Sequence, residues 1–305
     1  MMLIFVIGVK EKRIIGVLIV VLVLLFSYRF GFPQAKVVLQ SSENIKEVKE
    51  ESYFGDPLDW KEVDKLFPRY VTANLIDIET GKRFEVVRRG GTYHADIQPL
   101  TAKDTKILQE IYLGSWSWKR RAVVMELGQI KIAASINGMP HGQGIIKENE
   151  FPGHFCIHFL NCRVHKSRKI DTAHQMMVWK AAGLPEMPFL DADPEKVIEL
   201  VITAFNQADG ALASQGLYCS EAQMWLLSGC ILAKLPLMDI EKISLQKEES
   251  STEKRFYQMQ MSFTYPEIAT KIKRTGEVVL ELDKSLGRWK MEAEGLRIML
   301  LKNSE

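Results

Sequence analysis

Gly153-His154-Phe155-Cys156-Ile157-His158-Phe159 alternates strictly between reactive and apolar side chains. That alternation reads as a β-strand with two unlike faces. Phe155, Ile157 and Phe159 point one way, and His154, Cys156 and His158 the other. A thiol between two imidazoles on one face of a rigid strand suits thiolate chemistry. Imidazole takes the sulfur's proton, and a nearby imidazolium lowers the thiol pKa.

Working outward, the strand sits in a stretch from His141 to His174 that holds five of the six histidines and two of the four cysteines. His141 and Gly142 belong to a glycine-rich loop, Asn137 to Gly144, that follows a strand. Residues 70–76 and 84–87 read as a hairpin about Glu79-Thr80-Gly81-Lys82, and 121–127 and 130–136 as a second hairpin with a Gly128-Gln129 turn. Thr101 caps a helix to about Leu113, and Asp171 caps another to Ala182, stopped by Gly183. His174 falls on the apolar face of that helix and reads as a core histidine. His158 and His165 also read as polar residues at strand ends. His94 and Asp96 stand apart in sequence but are candidates for the same cleft. Trp116 and Trp118 alternate before Lys119-Arg120-Arg121 and are candidates for a groove lining.

Leu184-Pro185-Glu186-Met187-Pro188 breaks the pattern and marks a domain boundary. The expected architecture is a mainly β domain over 57–183 followed by a smaller α+β domain over 184–305. In the latter, Asp193-Pro194 opens a helix, another apolar helix follows Ser220, and strands run over 255–264, 277–283 and 288–299.

The formal charge of +2 and scattered Lys and Arg leave nucleic acid without an electrostatic case. Lys10-Glu11-Lys12-Arg13 precedes an uncharged apolar run, 14–28. The run is short for a bilayer span and long for a signal-peptide core. The preferred reading of 1–33 is an uncleaved signal-anchor, a single transmembrane helix, with a cleaved signal peptide second and a buried core helix third. Basic residues before it keep the N-terminus inside and send the remainder across the membrane. Residues 34–56 are polar and read as a flexible tether. Cys219 and Cys230 flank a segment read as one helix, too far apart along it to form a disulfide. Cys156 is expected as a free thiol.

His141-Gly142 together with Gly153-His154-Phe155-Cys156-Ile157-His158 resembles the motif of the L,D-transpeptidases, cell-wall enzymes with a catalytic cysteine in a β-rich fold. Their signature is a His-Gly pair, a spacer, then Ser/Thr-His-Gly-Cys followed by an apolar residue and Arg or Asn. The resemblance covers about 70–183. Gly153 stands where Ser or Thr is usual, Phe155 replaces the glycine, and His158 replaces the Arg or Asn, a weaker and pH-dependent partner for a substrate carboxylate.

The resemblance implies that Cys156 attacks a carbonyl of a peptidoglycan stem peptide to form a thioester. His141 would be the general base, oriented by a backbone carbonyl near Gly142. Backbone N–H groups around Phe155 and Cys156 would hold the oxyanion, with His154 close by. Substrate contacts fall to His158, Gly142, Trp116, Trp118, His94 and Asp96. No cofactor and no metal are implied, and the partners are peptidoglycan and the membrane.

Two other readings stay open. His94, Asp96, His141, His154, Cys156 and His158 are all zinc-ligand types, as a zinc-dependent wall peptidase needs. Against it, alternate residues along one strand spread too widely for more than two neighbours to reach one ion. The third reading is a non-catalytic, membrane-anchored binding module.

Overall fold

A computed structural model describes residues 53–165, 167–218, 239–264 and 271–301. The expected anchor, most of the tether, Cys219, Cys230 and the helix expected after Ser220 lie outside the described residues. Among the described residues, no helix is long and apolar enough to cross a membrane.

Helix α1 (Trp60–Leu66), capped by the Asp59 carboxylate, leads into a hairpin of β1 (Thr72–Asp77) and β2 (Arg83–Gly90). Then come β3 (Ala95–Pro99), α2 (Ala102–Ile111), β4 (Arg120–Leu127), β5 (Ile130–Asn137), β6 (Phe155–His158) and α3 (Thr172–Ala181). The strands close into an antiparallel barrel in the order β1-β2-β3-β6-β5-β4, with β1 pairing β4. Closure leaves the barrel no free edge.

Both expected hairpins are present, as are the Thr101 and Asp171 caps, the former as a reciprocal capping box with Asp104. The alternation of β6 divides inside from outside. Phe155, Ile157 and Phe159 join Leu75, Phe84, Ile97, Val123, Ile132 and Ile136 in the barrel core. The histidine and cysteine face therefore lies on the barrel's outer wall. Tyr53–Asp56, expected at the end of the tether, are docked instead. Gly55 N–H bonds the Ala181 carbonyl, and the Asp56 backbone pairs with Lys131 and Ala133 of β5.

The C-terminal segment brings α4 (Pro194–Asn206), α5 (Gly210–Ser214), β7 (Leu217–Tyr218), β8 (Asp239–Ser250), β9 (Lys254–Thr264), β10 (Lys271–Asp283), β11 (Arg288–Glu292) and α6 (Ala293–Leu301). Its sheet runs β7-β11-β10-β9-β8. The strand expected over 288–299 ends at Glu292. Beyond it Ala293, Leu296, Met299 and Leu300 are buried at helical spacing, which the shorter period of a strand does not fit.

A second core joins this segment to the barrel. Ala122 and Ala133 from the outer wall pack with Met176, Met177 and Ala181 of α3, Val197, Leu200, Val201 and Phe205 of α4, and Met259, Phe263, Val278 and Leu280 of the sheet.

Candidate active site

Cross-strand register assembles the site. On β3, Asp96 is the direct partner of Cys156, and Ala95 of Ile157. Continuing that register sets His94 beside His158 and Gln98 beside His154. Three outward positions at and beside β3 thus face three at and beside β6. Cys156 is 4% exposed and Asp96 is buried. Both Cys156 and Cys162 are free thiols.

On its other side β6 pairs with β5 only at Ser135↔His158 and Ile136↔Ile157, and pairing resumes at His141↔His154. Residues 137–140 therefore lie opposite Phe155 and Cys156 alone, an irregularity that opens the ladder beside the thiol. The bulge returns the chain so that His141 Nε2 lies 3.2 Å from Cys156 Sγ. His141 Nδ1 donates to the Met139 carbonyl at 2.8 Å, which leaves the Nε2 lone pair facing the sulfur. The orienting carbonyl expected near Gly142 belongs to Met139.

Gly142 has φ +59°, and a Cβ there would meet His154 Cε1 at 2.5 Å. The glycine of the His-Gly pair is thus required by conformation and by the ring beneath it. Gln98 pins the far side of the same loop, accepting from the Ile145 and Ile146 N–H groups and donating to the Ile146 carbonyl.

Asp96 Oδ1 is a hub for three imidazoles: His165 Nε2 at 3.1 Å, His94 Nε2 at 3.5 Å and His154 Nε2 at 3.7 Å. Burial opposes its ionisation, but the His94 hydrogen bond and the charges of His154, His94 and His165 prevail and hold its pKa at about 2. Burial, then the Asp96 charge, push the Cys156 thiol well above its ordinary value. The raised pKa keeps the Cys156 thiol protonated, with the His141 ring beside it. Burial also lowers the pKa of His154, whose Nδ1 donates to the Gln143 carbonyl at 3.0 Å.

His158 is buried in the wall. It is 2% exposed and stacked between His174, ring centroids 3.7 Å apart, and His94, 4.3 Å apart. Among the described residues, its Nδ1 has no hydrogen-bond partner. His174 Nδ1 is hydrogen-bonded to Ser135 Oγ at 2.8 Å, as befits a core histidine. Trp118 is half exposed, its ring centroid 5.2 Å from that of His141, whereas Trp116 packs edge-on against Phe151.

Two clefts flank the Cys156–His141 pair. One, of about 530 Å³, is lined by Arg69, Arg89, Arg168, Tyr93, Asp96 and His165, among others. The other, of about 390 Å³, includes Trp116, Trp118, Met139, Asn206, Gln207 and Ile240.

From sequence His165 reads as a polar residue at a strand end, and the three arginines carry no signal. His165 joins because Arg163 N–H bonds the Tyr93 carbonyl, folding the post-β6 loop back over β3. Its only sequence signal is membership of the histidine-rich stretch. Four-residue groups with compact donor atoms arise because their members come from different segments, so spacing along one strand does not limit them. Compared with known proteins, the chain matches no family model and no curated protein.

Proposed function

We propose that the chain is an L,D-transpeptidase-like cysteine acyltransferase acting on peptidoglycan stem peptides from a membrane-anchored, extracytoplasmic position. The observation that carries this reading is the 3.2 Å contact of Cys156 Sγ with His141 Nε2, whose other nitrogen is fixed by Met139. The apolar run at 14–28 and the His-Gly and His-x-Cys spacing support it independently.

In this reaction Cys156 gives its proton to His141 Nε2 as sulfur bonds to the donor's carbonyl carbon. The C–N bond then breaks, and the leaving amine takes that proton from His141, leaving a thioester. A second amine attacks the thioester carbonyl and passes a proton to His141, and the sulfur departs as thiol. Water in place of the amine gives hydrolysis. Clefts on both sides of the pair suit a reaction with two peptide substrates. The first, with Arg69, Arg89 and Arg168, offers the cationic partner for a donor carboxylate that a buried His158 does not.

Intact-mass analysis after incubation with a carbapenem tests this. The expected result is one stable adduct mapped to Cys156, absent in Cys156→Ala and formed about 10²–10⁴ times more slowly in His141→Ala. A protein that stays unmodified overturns the reading.

A further inference from the structure

The geometry points to a metal site built by Cys156 Sγ, His165 Nε2, His94 Nε2 and Asp96 Oδ1, which takes a zinc-class divalent ion and withdraws the thiol from reaction. These four donor atoms lie within 4.8 Å of one another. Three of the separations are 2.9 Å for His94–His165, 3.1 Å for His165–Asp96 and 3.5 Å for His94–Asp96. In tetrahedral zinc sites with N, O and S ligands, donor atoms sit roughly 3.3–3.8 Å apart. Small shifts of the His94, His165 and Asp96 donors around a central ion therefore bring those three to that spacing, with the sulfur within 4.8 Å of each.

The protonation pattern favours a cation at this point. His94 Nδ1 lies 2.7 Å from the Arg163 carbonyl and must donate to it, so neutral His94 turns a bare Nε2 lone pair inward. Asp96 Oδ1 is an acceptor. A single Nε2 proton on His165 serves only one of these two acceptors at a time. An ion on the shared side satisfies all three at once. The orienting contacts that metal ligands require are already present. The Arg163 carbonyl fixes the His94 ring, and Arg89, 3.7 Å from Oδ2, leaves Oδ1 free to face the cluster. Charge also balances, since one thiolate and one carboxylate offset a divalent ion.

On binding, the Cys156 S–H bond breaks, its proton goes to solvent, the sulfur–metal bond forms and the ion sheds water. The sulfur lone pairs that would attack a carbonyl then point at the metal. Binding depends on four donor atoms and not on the transferase reading. A second compact set, His141, His154, Cys156 and His165, shares two ligands. The set with Asp96 is favoured because it supplies the second negative charge.

Titrating the metal-free full chain with Co²⁺ and Zn²⁺ tests the site, with alkylation of Cys156 followed by peptide mapping. One equivalent of Co²⁺ is expected to give tetrahedral ligand-field bands and a near-ultraviolet thiolate charge-transfer band. Zn²⁺ is expected to block alkylation of Cys156, with recovery on adding chelator. His165→Ala removes an exposed ligand without opening the core and is expected to weaken binding by about 100-fold. His94→Gln is expected to do the same, while His154→Gln binds as the parent does. Unchanged alkylation with Zn²⁺, an octahedral cobalt spectrum without the thiolate band, or loss in His154→Gln but not in His94→Gln would each overturn the assignment. Carbapenem acylation of the metal-free protein separately decides the enzymatic reading.

Discussion

Gly142 shows how little freedom a single residue has here. Its φ of +59° and the 2.5 Å approach of a would-be Cβ to His154 mean that Gly142→Ala must move either the loop or the imidazole. The expected cost is about 1–3 kcal/mol of stability, read from the denaturant midpoint, together with at least a tenfold slower carbapenem acylation. Unchanged acylation would show that the loop tolerates the shift. Cys156 and His141 were legible in the sequence because alternation and the His-Gly pair mark them directly. Asp96 was only suspected, because its place opposite Cys156 is a matter of strand register, which no local pattern states. His165 depends on a loop folding back through backbone hydrogen bonds, which any side chain would permit.

Three elements meet in the imidazole stack: His94 just before β3, His158 on β6 and His174 on α3. Burial lowers the pKa of His158 and His174 well below the ordinary value. The folded state keeps both neutral, while in the unfolded chain they gain protons below about pH 6.5. The unfolded state then binds more protons, so stability present above that pH is lost as pH falls toward the depressed folded values. Denaturant midpoints are expected to be level from about pH 8 to 7 and to drop from about pH 6.5 to 5, before Asp96, with its pKa near 2, contributes. A level profile down to about pH 5 would contradict this. The two hairpins and the capped helices were readable because turn glycines and cap residues announce them. β3 was not, since all five of its residues are buried and show no alternation. The strand expected to run past Glu292 failed at the opposite end, where a helical period begins.

At the scale of the whole molecule, the barrel's outer wall and the C-terminal segment bury one core in common. Leu200→Ala, remote from the thiol, is expected to cost about 2–5 kcal/mol and to lower a single shared unfolding transition. Calorimetry showing two separate transitions, only one of them shifted, would argue against that coupling. The mainly β character and the C-terminal mixture of helix and sheet followed from periodicity. Their common core did not, because it joins small residues such as Ala122 and Ala133 to partners far along the chain. The seam is stitched by the Arg120 N–H to Gln207 and by Lys119 to the Asn206 carbonyl, and Asn206 in turn holds the Ile240 backbone within the C-terminal segment. It also forms one wall of the cleft that holds Trp118. That indole borders solvent on one side and His141 on the other. The molecule therefore carries its own optical gauge: slippage at the seam and a proton on His141 both reach the same fluorophore.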